Sequence, residues 1–163
     1  MISSGKAECP VCGMMVRNGQ YALEHQKMFF HFCSEQCRDT FQARPGLYIG
    51  QRAKECGEII KHRRLRLAEA PDPDTSRVIT ECLQASMGVK DCRLNGRFLA
   101  IRYDLLQVTL AQVERALGEL RVTLDNGWWP RFRRAWSRDT EQNELDNLAS
   151  PPSACCNRPP PRA

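Results

Sequence analysis

Two closely spaced pairs of cysteines near the start of the chain constrain its fold more than any other feature. The first pair is separated by two residues and followed by Gly13, and the second pair begins after a further twenty residues. Each pair can bind one edge of a tetrahedral ion, and the segment between the pairs closes over it. The spacing therefore predicts that one metal ion, Zn(II) or Cu(I), is bound by Cys9, Cys12, Cys33 and Cys37.

The expected compartment follows from the cysteine content and from the absence of targeting signals. Residues 1–8 contain no apolar h-region, and no run of about 18 apolar residues suggests a membrane span. The default compartment is the reducing cytoplasm, where clustered cysteines are more often metal ligands than disulfides. The net charge of +5 is mild and does not by itself indicate a nucleic-acid partner.

The segment around the cysteines predicts a knuckle, a hairpin and a helix. Residues 9–13 are typical of a tight turn that directs two sulfurs to one point. The β-prone runs 21–23 and 28–32 flank a polar turn and predict a hairpin. Ser34 can cap a helix over residues 35–43. Knuckle, hairpin and helix follow one another in this order in a treble clef.

The same residues resemble a known family of metal-binding domains. The motif Cys9-x2-Cys12-Gly13-Met14, followed by Phe32-Cys33-Ser34-x2-Cys37-x3-Phe41, is similar to the YHS/TRASH domain over residues 7–49. Such domains occur in bacterial heavy-metal proteins, including segments of copper-transporting P-type ATPases and metal-responsive regulators. The resemblance implies a treble clef whose metal is carried by the four cysteines. It leaves open whether that metal is a structural zinc ion or a transported or sensed copper ion.

Other possible ligands near the cysteines are not predicted to bind the ion. Met14, Met15 and Met28 are soft sulfurs that would favour Cu(I) if exposed, but they are expected to lie in the core. His25 is expected in solvent at the hairpin tip. His31 alternates with phenylalanines and could face the site.

The second half of the chain alternates strand and helix patterns. These are a strand at 64–67, a helix closed by Gly88, strands at 89–94 and 98–103 joined by Asn95-Gly96, a helix at 110–120 and a strand at 121–124. The order βαββαβ over residues 61–126 predicts a ferredoxin-like domain. The fold class is therefore α+β.

This half is similar in element order to heavy-metal-associated domains, the small copper-chaperone modules. That family places a Met-x-Cys-x-x-Cys motif after its first strand, whereas residues 68–74 contain no sulfur. The resemblance therefore does not imply metal binding by this domain, which is interpreted as a scaffold or docking surface. Cys82, on the apolar face of the first helix, and Cys92, in a strand, are expected to be packed thiols.

Residues 127–149 predict an amphipathic helix that contains all three tryptophans of the chain. Phe132, Ala135 and Trp136 would share one face of it. Three interpretations stay open: the helix covers an open face of the sheet, it lies on an anionic membrane through residues 128–138, or it docks a protein partner. Nucleic-acid binding has no second feature in its favour.

Two segments are expected to lack a fold of their own. Residues 50–60 are a polar linker in which Cys56 is a free thiol. Residues 150–163 are a proline-rich tail that is expected to be disordered. Its adjacent Cys155 and Cys156 could bind and transfer a thiophilic ion, or they could have no role in metal binding.

The sequence contains no constellation typical of an enzyme, and four cysteine ligands leave no open coordination position for catalysis. The expected protein has a metal-binding domain in residues 1–49, followed by the linker, the ferredoxin-like domain, the helix and the tail. Its expected function is transition-metal binding in copper or zinc homeostasis, trafficking or sensing, with a metal transporter or acceptor as partner. The alternative is an adaptor or transcription-regulator-like protein with a purely structural zinc that binds protein or nucleic acid.

Overall fold

The computed structural model of the protein describes residues 7–16, 21–49 and 57–150. It is an α+β structure with an N-terminal unit (residues 7–49), a sheet unit (residues 57–126) and a long C-terminal helix. Cys56 and the tail cysteines Cys155 and Cys156 lie outside the described residues.

The N-terminal unit has the element order of a treble clef. Its elements are β1 (Ala7–Glu8), β2 (Met15–Val16), β3 (Tyr21–His25), β4 (Met28–Phe32) and α1 (Glu35–Ala43). β1 pairs with β2 and β3 pairs with β4, both antiparallel, so the predicted hairpin is confirmed. Gln26 and Lys27 both have positive φ, as a two-residue turn of the primed type requires. His25 ends β3 half-buried, with its ring 5.9 Å from that of Phe41, so its expected place in solvent is wrong.

Aromatic rings and cysteines together form the core of the N-terminal unit. Phe41 of α1 lies 4.9 Å from Phe30 and 5.1 Å from Phe32 of β4, measured between ring centroids. Phe32 and Phe41 are buried in one cluster with Cys9 and Cys37. A unit of this size buries too little apolar surface to fold without a further constraint, and metal binding is a usual one.

The sheet unit contains a strand, a helix, two strands and a helix. They are β5 (Ile60–Arg66), α2 (Pro73–Ala85), β6 (Val89–Asn95), β7 (Phe98–Asp104) and α3 (Leu110–Glu119). The strands form an antiparallel sheet in the order β5–β7–β6, with Asn95 opposite Phe98 at the predicted hairpin. α2 and α3 contribute to the core on one face of this sheet, whose central side chains are Leu65, Leu99, Ile101 and Tyr103.

The predicted strand at residues 121–124 is wrong in extent, because it is reduced to a single bridge between Leu67 and Leu124. The cause is the end of α3. Arg121 has a φ of 57° and donates its N–H to Gly118, while the Val122 N–H donates to Leu117 at 2.9 Å. These two hydrogen bonds form a Schellman motif, which removes Arg121 and Val122 from the strand, whereas the Asp125 N–H still donates to the Arg66 carbonyl at 2.8 Å.

Helix α2 also differs from its prediction. It ends at Ala85, before Gly88, and its buried residues are Ile79 and Leu83. Cys82 lies about 100° around the helix from Leu83 and is exposed, so the expectation that it packs is wrong. Cys92 of β6 is buried, as expected.

The C-terminal helix α4 (Trp128–Ala149) packs through its second half. Leu145 forms a cluster with Leu47 and Leu105, and Glu141 is buried nearby. Phe132 and Trp136, in the first half, are exposed, so these two rings do not supply the contact between the helix and the sheet. Within the described ranges, no helix is long and apolar enough to cross a membrane.

Glu141 is a buried hydrogen-bond acceptor that joins α4 to the sheet unit. Its side chain is 2% exposed. Oε1 accepts from the Tyr103 hydroxyl at 2.5 Å and from Arg63 Nε at 3.1 Å, and Oε2 accepts from the Leu110 N–H at 2.9 Å. The last bond satisfies an N–H at the start of α3 that has no partner within the helix.

Candidate metal centre

The knuckle between β1 and β2 positions the first pair of sulfurs. The Gly13 N–H donates to the Cys9 carbonyl at 2.8 Å, and the Cys9 N–H donates to the Met14 carbonyl at 2.8 Å. Gly13 has a φ of 74°, a left-handed conformation that a side chain disfavours. The turn therefore depends on glycine, and it brings Cys9 and Cys12 to the same side.

The second pair of sulfurs lies at the start of α1. Ser34 is the N-cap, and its hydroxyl accepts the Cys37 N–H at 3.3 Å. Cys33 therefore precedes the helix and Cys37 lies in its first turn, as predicted. The partial positive charge at a helix N-terminus stabilises thiolates there.

The structure brings all four predicted sulfurs together. The Sγ atoms of Cys9, Cys12, Cys33 and Cys37 lie within 4.8 Å of one another, and all four residues are free cysteines. The Cys12–Cys33 and Cys33–Cys37 sulfur separations are 3.4 and 3.7 Å. Four sulfurs about 2.3 Å from a central ion would be separated by about 3.8 Å in a regular tetrahedron. The arrangement is therefore suited to a metal ion.

The two pairs are unequally buried. Cys9 and Cys37 are almost completely buried, whereas Cys12 and Cys33 are half-buried. The cluster is therefore enclosed on one side and accessible to solvent along the Cys12–Cys33 edge.

The sulfurs perturb one another's acidity. A hydrogen bond from the Cys37 thiol, with help from backbone N–H groups, lowers the pKa of Cys9. The same bond raises the pKa of Cys37, and burial raises that of Cys12 to about 12. A bound cation would reverse the last two effects, since it stabilises every sulfur that binds it as thiolate.

A fifth sulfur, which the sequence did not reveal as part of the site, comes from the sheet unit. The Met87 Sδ lies 3.0 Å from the Cys37 Sγ. Met87 follows the end of α2 and precedes β6, rather than lying within the predicted helix that Gly88 closes. The three methionines close in sequence to the cysteines, Met14, Met15 and Met28, are exposed, which corrects their expected place in the core.

Hydrogen bonds between the two units surround this contact. Gln36 Nε2 donates to the carbonyls of Met87 at 3.4 Å and of Gln107 at 3.3 Å. Gln112 Nε2 donates to the Thr40 hydroxyl at 3.3 Å. The sheet unit therefore forms one wall of the cysteine cluster.

Neither histidine near the cysteines joins the cluster. His25 packs against Phe41, and His31 is half-buried on β4 with its Nδ1 buried. The metal-suited group consists of cysteines alone among the described residues.

Comparisons with known proteins agree with the resemblance inferred from the sequence. Residues 7–52 match the YHS domain, which confirms that resemblance. No curated protein sequence matches the chain. A similar solved structure is that of the N-terminal soluble domains of Bacillus subtilis CopA, with 15% identity and a TM-score of 0.40. The alignment covers 42% of this chain and 48% of that chain, so it spans about half of the CopA structure.

Proposed function

We propose that the protein binds a soft transition-metal ion, Cu(I) or Zn(II), at its four cysteines and serves non-enzymatically in heavy-metal homeostasis in the cytoplasm. The observation that carries this proposal is the convergence of four free sulfurs within 4.8 Å of one another. Thiolates select Cu(I) and zinc over harder ions. The match of residues 7–52 to the YHS domain supports the same role.

The unequal burial of the cysteines favours transfer of the ion over a permanently enclosed structural site. Cys12 and Cys33 are half-buried and neighbouring, so an incoming thiolate can approach the ion between them. Cys9 and Cys37 would hold the ion from the buried side while the outer ligands are replaced. Ligand exchange in this order would release the ion to an acceptor thiol without unfolding the N-terminal unit.

Metal analysis of the full-length protein tests the proposal. We expect one ion per chain in the wild type and in Cys82→Ser, which removes an exposed thiol outside the cluster. Cys33→Ser should lose most of this metal. Stoichiometric metal in Cys33→Ser would show that the ligand assignment is wrong.

A transfer experiment separates the proposed function from the structural-zinc alternative. The wild-type protein is loaded with Cu(I) and mixed with a competing dithiol peptide. Transfer without loss of the circular dichroism of the folded chain supports metal handling. Zinc that binds inertly and leaves only on unfolding would instead support an adaptor whose ion holds the N-terminal unit together.

A second element of the proposal is a protein partner, a metal transporter or acceptor, that binds α4. Trp129, Phe132 and Trp136 are 54, 52 and 67% exposed, and neighbouring ring centroids are 6.0 and 6.3 Å apart. We name this surface the aromatic stripe. Exposed tryptophan beside arginine is typical of interface anchors, and contiguous exposed apolar surface marks binding sites.

The surface beside the aromatic stripe supports a protein partner over a flat membrane. A groove of about 390 Å³ lies between α4 and β5, with Arg64, Trp129 and Arg133 among its lining residues. β5 is an edge strand of its sheet on this side up to Leu65, because the Arg66 carbonyl already accepts the Asp125 N–H at 2.8 Å. An extended segment of a partner could pair with that edge, and acidic residues in it would meet the two arginines.

Co-sedimentation with anionic vesicles tests which surface the aromatic stripe recognises. The variants are Trp129→Ala with Trp136→Ala, and Phe29→Ala as a control that removes an exposed ring from the N-terminal unit. Absence of vesicle binding by the wild type is the expected result for a protein partner. Binding that the double variant loses and the control retains would replace the partner with a membrane surface.

A further inference from the structure

The contact between Met87 and Cys37 joins parts of the chain that are fifty residues apart. The two sulfur atoms are 3.0 Å apart, which is closer than the Cys12–Cys33 and Cys33–Cys37 sulfurs are to each other. The thioether is therefore in direct contact with one of the four cluster sulfurs. Met87 also packs against the buried cluster that contains Cys9 and Cys37.

The loop that carries Met87 is fixed by backbone interactions on both sides. The Met87 carbonyl accepts a hydrogen bond from Gln36 Nε2, and the carbonyl of the next residue, Gly88, accepts one from the Asp104 N–H at 2.8 Å. Gly88 has a φ of 83°, and a Cβ atom at this position would lie 2.7 Å from the Cβ of Gln107. Glycine is therefore required for the loop to approach the sheet unit closely and present the neighbouring methionine to the cysteines.

We propose that the Met87 thioether binds Cu(I) at this site in place of one of the two half-buried cysteines, so that the ion keeps four sulfur ligands, and that this donor makes the site selective for Cu(I). This inference rests on the proposed metal-binding function. Thioethers are soft, neutral ligands that suit Cu(I), whereas zinc sites are built from cysteine, histidine and carboxylate ligands. A neutral donor beside the thiolates also stabilises a monovalent ion without adding negative charge.

The proposal has a structural consequence for the two units. A ligand from the sheet unit makes the bound ion a link between that unit and the N-terminal unit. The hydrogen bonds from Gln36 to Met87 and Gln107 already hold the units in this arrangement. The site therefore needs little reorganisation to include the thioether. Because the site is preorganised, little of its affinity for the ion is lost to ordering the protein.

Metal affinities of matched variants of the full-length protein test the proposal. Met87→Leu retains the apolar volume and removes the sulfur. Met28→Leu is the control, because it removes an exposed thioether of the N-terminal unit. Cu(I) and Zn(II) dissociation constants are measured by competition with chromophoric chelators.

We expect Met87→Leu to weaken Cu(I) binding at least tenfold and to change Zn(II) binding less than twofold. Met28→Leu should change neither. An unchanged Cu(I) affinity in Met87→Leu, or an equal loss for both metals, would overturn the role of Met87 and leave the four-cysteine site intact. Failure of the wild type to bind Cu(I) would overturn this inference, and failure to bind either metal would overturn the proposed function as well.

A spectroscopic measurement keeps the test independent of any effect of the substitution on folding. The protein is produced with selenomethionine and loaded with Cu(I), and X-ray absorption is recorded at the selenium edge. A copper neighbour should be detected in the wild type and in Met28→Leu, and it should be missing in Met87→Leu. Absence of a selenium–copper neighbour in the wild type would refute the proposal.

Discussion

Replacement of Glu141 by leucine should destabilise the protein strongly, although leucine is a good helix former of similar size. The carboxylate is 2% exposed and accepts hydrogen bonds from Tyr103, Leu110 and Arg63. Leucine accepts none of them. The Tyr103 hydroxyl and the Leu110 N–H would then be buried without an acceptor, since no water can enter the space that the leucine fills.

The loss in the free energy of unfolding can be estimated from these three hydrogen bonds. A buried donor that loses its acceptor costs about 1–3 kcal/mol, so the Tyr103 hydroxyl and the Leu110 N–H together cost about 2–6 kcal/mol. The side chain of Arg63 is 26% exposed and can turn to water, so it adds little. Burial of the leucine recovers on the order of 1 kcal/mol. We expect a net loss of about 1–5 kcal/mol in the free energy of unfolding.

Urea unfolding of the metal-saturated protein, followed by tryptophan fluorescence, measures this loss, because all three tryptophans lie in α4. Glu144→Leu is the control. Glu144 is 33% exposed and bonds only to Lys61 among the described residues, so its loss should cost less than about 1 kcal/mol.

A double-mutant cycle with Tyr103→Phe tests the physical reasoning. In the wild type this substitution should destabilise by about 1 kcal/mol, because a hydrogen bond is lost. In the Glu141→Leu background it should instead stabilise the protein, because it removes the unpaired hydroxyl. A Glu141→Leu cost below about 1 kcal/mol, or the same effect of Tyr103→Phe in both backgrounds, would refute the argument.

Three further predictions concern other parts of the structure. Leu145→Ala should lower the free energy of unfolding by about 2–5 kcal/mol in urea titrations, since it opens a cavity beside α4; a loss below about 1 kcal/mol would contradict this packing. Gly13→Ala should cost about 1–2 kcal/mol from its positive φ and weaken metal affinity in chelator competition, whereas Gly118→Ala, with open space around it, should leave metal affinity unchanged. Burial raises the pKa of Cys92 from 9.0 to about 11, so its contribution to stability is present below pH 9 and lost as the pH rises to about 11. The midpoint temperature of thermal unfolding should fall less steeply with pH across this range for Cys92→Val than for the wild type. Equal slopes would contradict the raised pKa of Cys92.

The N-terminal unit could be predicted from the sequence because its determinants are local. The knuckle needs a glycine directly after Cys12, and the helix needs a cap at Ser34, three residues before Cys37. The hairpin between β3 and β4 is closed by adjacent residues. Each of these signals spans only a few residues, so local conformational preferences decide the outcome.

The contributions of Met87 and Glu141 could not be predicted, because both depend on contacts between distant segments. Met87 lies 50 residues from Cys37, and Glu141 lies 38 residues from Tyr103. The helical periodicity indicated an apolar face of α2 but could not show where the helix ends. It therefore placed Met87 within the helix. A buried glutamate also contradicts the usual preference of this residue for solvent, so nothing in the sequence pattern indicates that Glu141 is buried.

The leucine cluster has a consequence for how an ion could be handed over. Leu47, Leu105 and Leu145 come from the N-terminal unit, the sheet unit and α4, and Arg44 forms an ion pair with Asp146 at 2.7 Å beside them. These contacts set the angle and separation between the cysteines and the aromatic stripe. An acceptor that bound the stripe would therefore meet the ion from one direction only, and its own thiols would have to be spaced to match.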